Sequence, residues 1–176
     1  MKSVEYKWKY RTPEGFSDIW MRSDGQVLTG LWFSGSRNLS KLVGNCEEFW
    51  TEGFEETVRW LDIYFSGRQP DFTPPYRIDD LTEFRRDVVE AMLQVTWGET
   101  TTYGEIAAEL AAKRGLSTMS AQAVGGAVGW NPLCIIVPCH RVVGARGQLT
   151  GYAGGIDNKI WLLRHEGQQG IIGLEE

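Results

Sequence analysis

The chain has 176 residues, 42% of them hydrophobic and 23% charged, with a formal net charge of -5. That length supports one large domain or two small ones, and the composition excludes a disordered tail or a disulfide-stapled miniprotein. No apolar run reaches the roughly 18 residues of a spanning helix, and the N-terminus lacks an apolar signal core, so a cytoplasmic protein with no membrane partner is expected.

The first part of the chain reads as a small sheet with one helix. Val4, Tyr6, Trp8 and Tyr10 alternate onto one face of a half-buried strand. A hairpin follows, with Ile19 and Met21 on one arm, Val27, Thr29, Leu31 and Phe33 on the other, and turn chemistry at Asp24-Gly25. The period then becomes helical at Phe54, Val58, Leu61 and Phe65, with Gly67 as a left-handed cap. Trp8, Trp20, Trp32, Trp50 and Trp60 read as core rather than as a ligand box. Residues 68–77 hold three of the six prolines and predict an extended connection between domains.

The second part reads mainly as helices. Asp80 with Glu83 predicts a capping box before Phe84, Val88 and Met92, and Thr102 with Glu105 predicts another before Ile106, Ala107, Leu110 and Ala111. A short small-residue helix follows from about Ser120 to Val128, and the pair has the pattern of a helix-turn-helix, against which a packed helical hairpin is the stronger reading on pattern alone; the connection is longer than the usual tight turn and favours a winged or variant form of the motif. Asn131 to Val143 reads as an apolar strand ending at Pro138-Cys139-His140-Arg141, and a last helix carries Ile156, Ile160 and Leu163 before Gly167. The fold class is α/β (α+β), with a sheet-plus-helix domain over 1–75 and a mainly helical, winged helix-turn-helix-like domain over 76–176.

Charge is uneven along the chain. Two arginines oppose eight carboxylates over 78–109, a net of -6, whereas Lys113, Arg114, Arg141, Arg146, Lys159 and Arg164 face only Asp157 over 110–165, a net of +5. An acidic protein as a whole speaks against nucleic acid, but a local basic face can still bind phosphate; the competing reading is a solvated basic surface.

Three cysteines, Cys46, Cys134 and Cys139, and two histidines, His140 and His165, make neither a disulfide framework nor a zinc site, since no CxxC or HxxxH pair is present. Cys139, on a proline-initiated turn with a histidine and an arginine directly after it, is the best nucleophile candidate. Cys46 and Cys134 read as inert. Adjacent side chains diverge, so His140 reaches the thiol through a bridging water, and Glu166 orients the imidazole if the last helix packs behind the cysteine turn.

Pro138-Cys139-His140-Arg141-Val142, preceded by Ala-Val-Gly-Gly-Ala at 123–127 and Asn131-Pro132 and followed by Gly-Tyr-Ala-Gly-Gly at 151–155 and Trp-Leu-Leu-Arg-His-Glu-Gly at 161–167, closely resembles the O6-alkylguanine-DNA alkyltransferases. The resemblance covers about residues 78–167. It implies a repair protein that moves an alkyl group from guanine O6 in duplex DNA onto its own cysteine, once per molecule, with no metal or organic cofactor and no need of more than a monomer. It further implies Cys139 as acceptor, His140 as base through water, Glu166 as its orienting acid, Asn131 as the buried tie between recognition helix and active-site turn, and Tyr103 as proton donor to guanine N3. Val142, Tyr152, Ala153 and Gly154 would line the pocket, the Val142 backbone accepting from the guanine amino group and the N–H near Ala153 facing O6. Ala123, Gly125 and Gly126 would enter the minor groove, with Gln122 and Arg141 as further DNA contacts. Two positions depart from the family pattern: Gln122 stands where an intercalated arginine is common, and Cys134 where some relatives have proline. The rival in another class is a non-catalytic lesion sensor that recruits other repair proteins, although such relatives typically lack the cysteine. A cysteine hydrolase lacks an evident oxyanion arrangement.

Overall fold

The computed structural model describes residues 3–168 and has the expected mixed α/β character. The chain forms two units. The first runs to Asp79 and takes in Ala153–Asn158, and the second comprises Asp80–Tyr152 and the residues from Lys159 onward.

In the first unit, strands β1 (Tyr6–Tyr10), β2 (Ile19–Ser23) and β3 (Leu28–Phe33) form an antiparallel meander, and the two-residue β4 (Glu47–Glu48) pairs parallel with β1. Helix α1 (Leu39–Val43) precedes β4, and α2 (Glu55–Phe65) follows it. The β2–β3 turn forms as expected. Asp24 accepts from the backbone N–H groups of Gln26 and Val27 at 2.9 Å, and Gly25 takes a φ of 103°. All six residues of β3 are buried, and Gly30 is required there because the Trp32 ring crosses it: a Cβ would lie 2.0 Å from the indole.

Two expectations need correction here. Trp8 and Trp50 are 37% and 38% exposed and meet edge-on at 5.9 Å, so they shield each other instead of entering the core. Helix α2 turns Thr57, Trp60, Leu61 and Tyr64 inward, leaving Val58 and Phe65 only partly buried. Its end is as predicted, with Gly67 at φ 90°. The connection over 68–77 runs beside β3: Leu28 donates to the Pro75 carbonyl at 3.1 Å and accepts from the Arg77 N–H at 2.9 Å. Asn158 ties its own segment to this unit, accepting from the Ser17 N–H at 3.0 Å and donating to the Gly154 carbonyl at 2.8 Å.

In the second unit α3 (Glu83–Leu93), α4 (Tyr103–Lys113) and α5 (Ala121–Trp130) pack on one another through Val88, Met92, Ile106, Leu110, Val124 and Val128. The α4 capping box is complete, Thr102 accepting from the Glu105 N–H while Glu105 accepts from the Thr102 N–H. The α3 cap is Thr82, not Asp80. Asp80 sits at φ 57°, and Thr82 is the extended residue whose hydroxyl accepts from the Arg85 N–H at 3.2 Å.

Short strands β5 (Thr101–Thr102) and β6 (Val142–Val143) pair in parallel and set the start of α4 beside the cysteine turn. The apolar run before that turn is not a strand. Ile135 lies at φ 69° and the segment turns back on itself, Val137 donating to the Leu133 carbonyl at 2.9 Å. Helix α6 (Ile156–His165) begins in the first unit and buries Leu162 and Leu163 beyond Lys159, Leu163 packing with Val143. Among the described residues, no helix is long and apolar enough to cross a membrane.

Candidate active site

Cys139 opens a single 3-10 turn, Cys139–Arg141, entered from Pro138. Buried backbone needs partners, and Asn131 provides them. Its amide donates to the Val137 carbonyl at 2.9 Å and to the Leu133 carbonyl at 3.4 Å, and its carbonyl accepts from the Leu133 N–H at 3.0 Å. One side chain at the end of α5 therefore closes the loop that presents Cys139. The thiol is 5% exposed and lies 3.5 Å from the Tyr152 hydroxyl. Burial pushes it above the ordinary cysteine range, while Tyr152, Asn131 and the Lys159 charge pull towards thiolate.

His140 is fully buried, with Nε2 2.8 and 3.0 Å from the two carboxylate oxygens of Glu166. This carboxylate fixes the tautomer that carries its proton on Nε2, leaving Nδ1 as the basic nitrogen. Nδ1 has no hydrogen-bond partner within the described protein. Burial holds the imidazole below its usual range against the opposing pull of Glu166, so the ring is neutral and able to accept a proton. For Glu166 burial works in the other direction, but His140 and Arg141 together outweigh it and keep the carboxylate ionised.

Arg141 was expected to face DNA. Its Nε and Nη2 reach Glu166 at 2.6 and 2.5 Å, and Nη1 donates to the Val95 carbonyl at 2.7 Å, so the side chain is turned inward to clamp the carboxylate. The broader basic surface is likewise reduced. Lys113 and Arg114 pair with Asp87 on α3 at 3.1 and 2.8 Å, and Lys159 is fully buried. Four of the six basic residues in that stretch therefore spend their charge within the protein.

The buried lysine is the residue that sequence reasoning missed. Lys159 Nζ donates to the Val142 carbonyl at 2.7 Å and to the Thr150 hydroxyl at 3.4 Å, and desolvation lowers its pKa to about 8. Thr150 in turn lies 3.1 Å from the Tyr103 hydroxyl. Burial raises the Tyr103 phenol, the Thr150 contact opposes this, and proximity to Cys139 adds to it. A signal for Lys159 was present: it stands within the apolar spacing of Ile156, Ile160 and Leu163.

On α5, Gln122, Ala123 and Gly126 are exposed, whereas Val124, Ala127 and Val128 face the core. A Cβ on Gly126 would meet nothing within 4 Å, and one on Gly125 would touch the Tyr103 ring at 3.7 Å. The helix thus presents a surface of small side chains next to Tyr103. Ala153 and Gly154 belong to the first unit, where the Ala153 carbonyl accepts from the Arg37 N–H at 3.4 Å. Cys134 is buried, and among the described residues no three His, Cys, Asp or Glu side chains gather as a metal site.

Residues 83–168 match the family model of the 6-O-methylguanine DNA methyltransferase DNA-binding domain. The chain is 41% identical over 150 residues to a methylated-DNA–protein-cysteine methyltransferase of Mycobacterium leprae, spanning 85% of this chain and 86% of the relative. Its structure is similar to that of the Mycobacterium tuberculosis O6-methylguanine methyltransferase, with a TM-score of 0.78 and 35% identity over 93% of both chains. It is also similar to that protein in complex with DNA, with a TM-score of 0.77 and 35% identity over 92% of both chains. With its buried cysteine turn backed by a histidine and a carboxylate, the chain belongs to the methylated-DNA–protein-cysteine methyltransferase family.

Proposed function

We propose that this protein repairs duplex DNA by taking the alkyl group of O6-alkylguanine onto Cys139, once per chain. The observation that carries the reading is the chain of contacts behind the thiol: a buried Cys139 followed by a neutral His140 whose Nε2 is fixed by Glu166, with Nδ1 left to accept. His140 takes the thiol proton through a bridging water. The sulfur lone pair then attacks the alkyl carbon as the carbon–O6 bond breaks.

Departure of guanine as an anion is unfavourable, and Tyr103 relieves it by protonating N3. The Val142 carbonyl, one lone pair of which is engaged by Lys159, has a second to accept from the guanine amino group. The open face of α5 enters the minor groove, where its small residues permit close approach, and Gln122 fills the space left by the flipped base. Tyr152, Ala153 and Gly154 line the pocket in this reading. A monomer suffices, and the compartment is the cytoplasm.

Cys139→Ala tests the assignment. The variant, folded by circular dichroism, is expected to leave the methyl on a duplex containing O6-methylguanine, and loss of that methyl with Cys139 removed would overturn the reading.

A further inference from the structure

Tyr103 can act as a proton donor only if its hydrogen points at the substrate, and its one hydrogen-bond partner among the described residues is Thr150 at 3.1 Å. A tyrosine that donated to Thr150 would have its proton committed to the protein. Which oxygen donates is decided by what else the two hydroxyls contact. Lys159 Nζ, 3.4 Å away, has only hydrogens to offer, so Thr150 Oγ1 must accept from it. In the free protein either hydroxyl can donate to the other, because both residues are part-buried and the remaining hydrogen can turn to solvent. Once guanine N3, which can only accept, takes the Tyr103 hydrogen, the arrangement that satisfies every group has Lys159 donating to Thr150 and Thr150 donating to Tyr103.

We propose that Thr150 is a positioning residue: fixed by Lys159, it turns its proton onto the Tyr103 oxygen, freeing the phenol hydrogen for guanine N3 and replacing it from the lysine. This rests on the alkyl-transfer reading above. In the transfer step the Tyr103 O–H breaks as the N3–H forms, the Thr150 hydrogen passes to Tyr103, and a Lys159 hydrogen passes to Thr150. Meanwhile the thiol proton goes to His140 and the carbon–O6 pair stays on guanine. The site begins with one positive charge on Lys159 and ends with one on His140, so total charge is unchanged while guanine leaves neutral. The low pKa of Lys159, about 8, is consistent with a lysine that yields its proton. Neither Thr150 nor Lys159 has to touch the DNA for this role.

The experiment is single-turnover methyl transfer from an O6-methylguanine duplex by wild type, Thr150→Val and Thr150→Ser, repeated in a Tyr103→Phe background, with duplex binding measured alongside. Valine keeps the shape and loses the hydroxyl. Thr150→Val is expected to slow transfer about tenfold, less than the roughly hundredfold or more that loss of the proton donor itself would cost, with binding unchanged. Thr150→Ser should restore the rate to within about twofold, and Thr150→Val should have no further effect once Tyr103 is Phe. A wild-type rate in Thr150→Val, a serine variant as slow as valine, or an equal loss in both backgrounds would overturn the proposal. Tyr103→Phe at the wild-type rate would overturn it together with the donor role of Tyr103. Failure of the wild-type protein to take up methyl at all would refute the alkyl-transfer reading itself.

Discussion

Asn131 offers a direct test of how the cysteine turn is held. Replacing it with alanine removes the 2.9 Å donor to the Val137 carbonyl and the 3.0 Å acceptor from the Leu133 N–H. Asn131 is 7% exposed, and Leu133 and Val137 are fully buried, so the Leu133 N–H loses its partner away from solvent while the Val137 carbonyl keeps the Cys139 N–H at 2.8 Å. An unsatisfied buried group costs about 1–3 kcal/mol and a lost hydrogen bond about 0.5–1.5 kcal/mol, giving a destabilisation of roughly 2–4 kcal/mol together. For a chain of this size each kcal/mol moves Tm by about 2–4 °C, so Asn131→Ala should melt roughly 5–15 °C below wild type. Asn131 also favours the Cys139 thiolate. Transfer at 25 °C, where the variant remains folded, should therefore slow by about tenfold for each pK unit lost. Asn131→Asp discriminates further, because it retains an acceptor for Leu133 but places negative charge beside the thiol and should slow transfer more than it lowers Tm. Thermal denaturation by near-ultraviolet circular dichroism and single-turnover transfer check both effects. A Tm shift of less than about 2 °C in Asn131→Ala would show that this side chain is not what holds the turn.

Three other outcomes follow from the same geometry. Glu166→Gln should slow transfer by about tenfold to a hundredfold while leaving duplex affinity intact, because the neutral amide no longer fixes the imidazole as its proton-accepting tautomer; an unchanged rate would remove Glu166 from the mechanism. Acid should destabilise the protein: His140 is held below its ordinary pKa, so the unfolded chain binds the extra proton first, and the stability of the neutral ring is complete above about pH 6.5 and lost as pH falls below it. Glu166, also depressed, adds a further loss below its unfolded value of about 4.3, so Tm should fall continuously on acidification, and a flat or rising Tm would contradict the assignment. Duplex affinity should depend only weakly on salt. Six free cations would give a slope of log K against log salt near -5, but with four engaged inside the protein the slope should be shallower than about -3, and a steep slope would mean that those ion pairs open on DNA.

Much of the fold was legible in local pattern. The Asp24-Gly25 turn, the Thr102 capping box and the Gly67 cap are local chemistry and form where the sequence places them. The apolar run 131–143 reads as a strand but forms a turning loop, because continuous hydrophobicity reports burial without saying how the backbone is satisfied. Here the side chain of Asn131 takes the place of a ladder of strand hydrogen bonds. Net charge along 110–165 overstates the free charge for a related reason. Charge counted along the chain cannot see Asp87, which lies 26 residues from Lys113 in sequence but only 3.1 Å from it in space. Arg141 shows the same effect, drawn to a carboxylate 25 positions later. The motif around Cys139 could be read from sequence, and the structure adds that Glu166 reaches His140 at 2.8 Å. Lys159 carried a visible signal as a charge within an apolar stripe, whereas Thr150 carried none, since a loop threonine has significance only through what surrounds it.

The central claim is that Cys139 itself becomes alkylated, and the most direct measurement is peptide mass spectrometry after incubation with a duplex carrying one O6-methylguanine. Trypsin should release Gly115 to Arg141 as one peptide, so fragmentation has to separate Cys139 from Cys134. The account predicts one methyl per chain, on Cys139, with an equal loss from the DNA. Tight binding with no change in mass, or methyl on Cys134 instead, would contradict it.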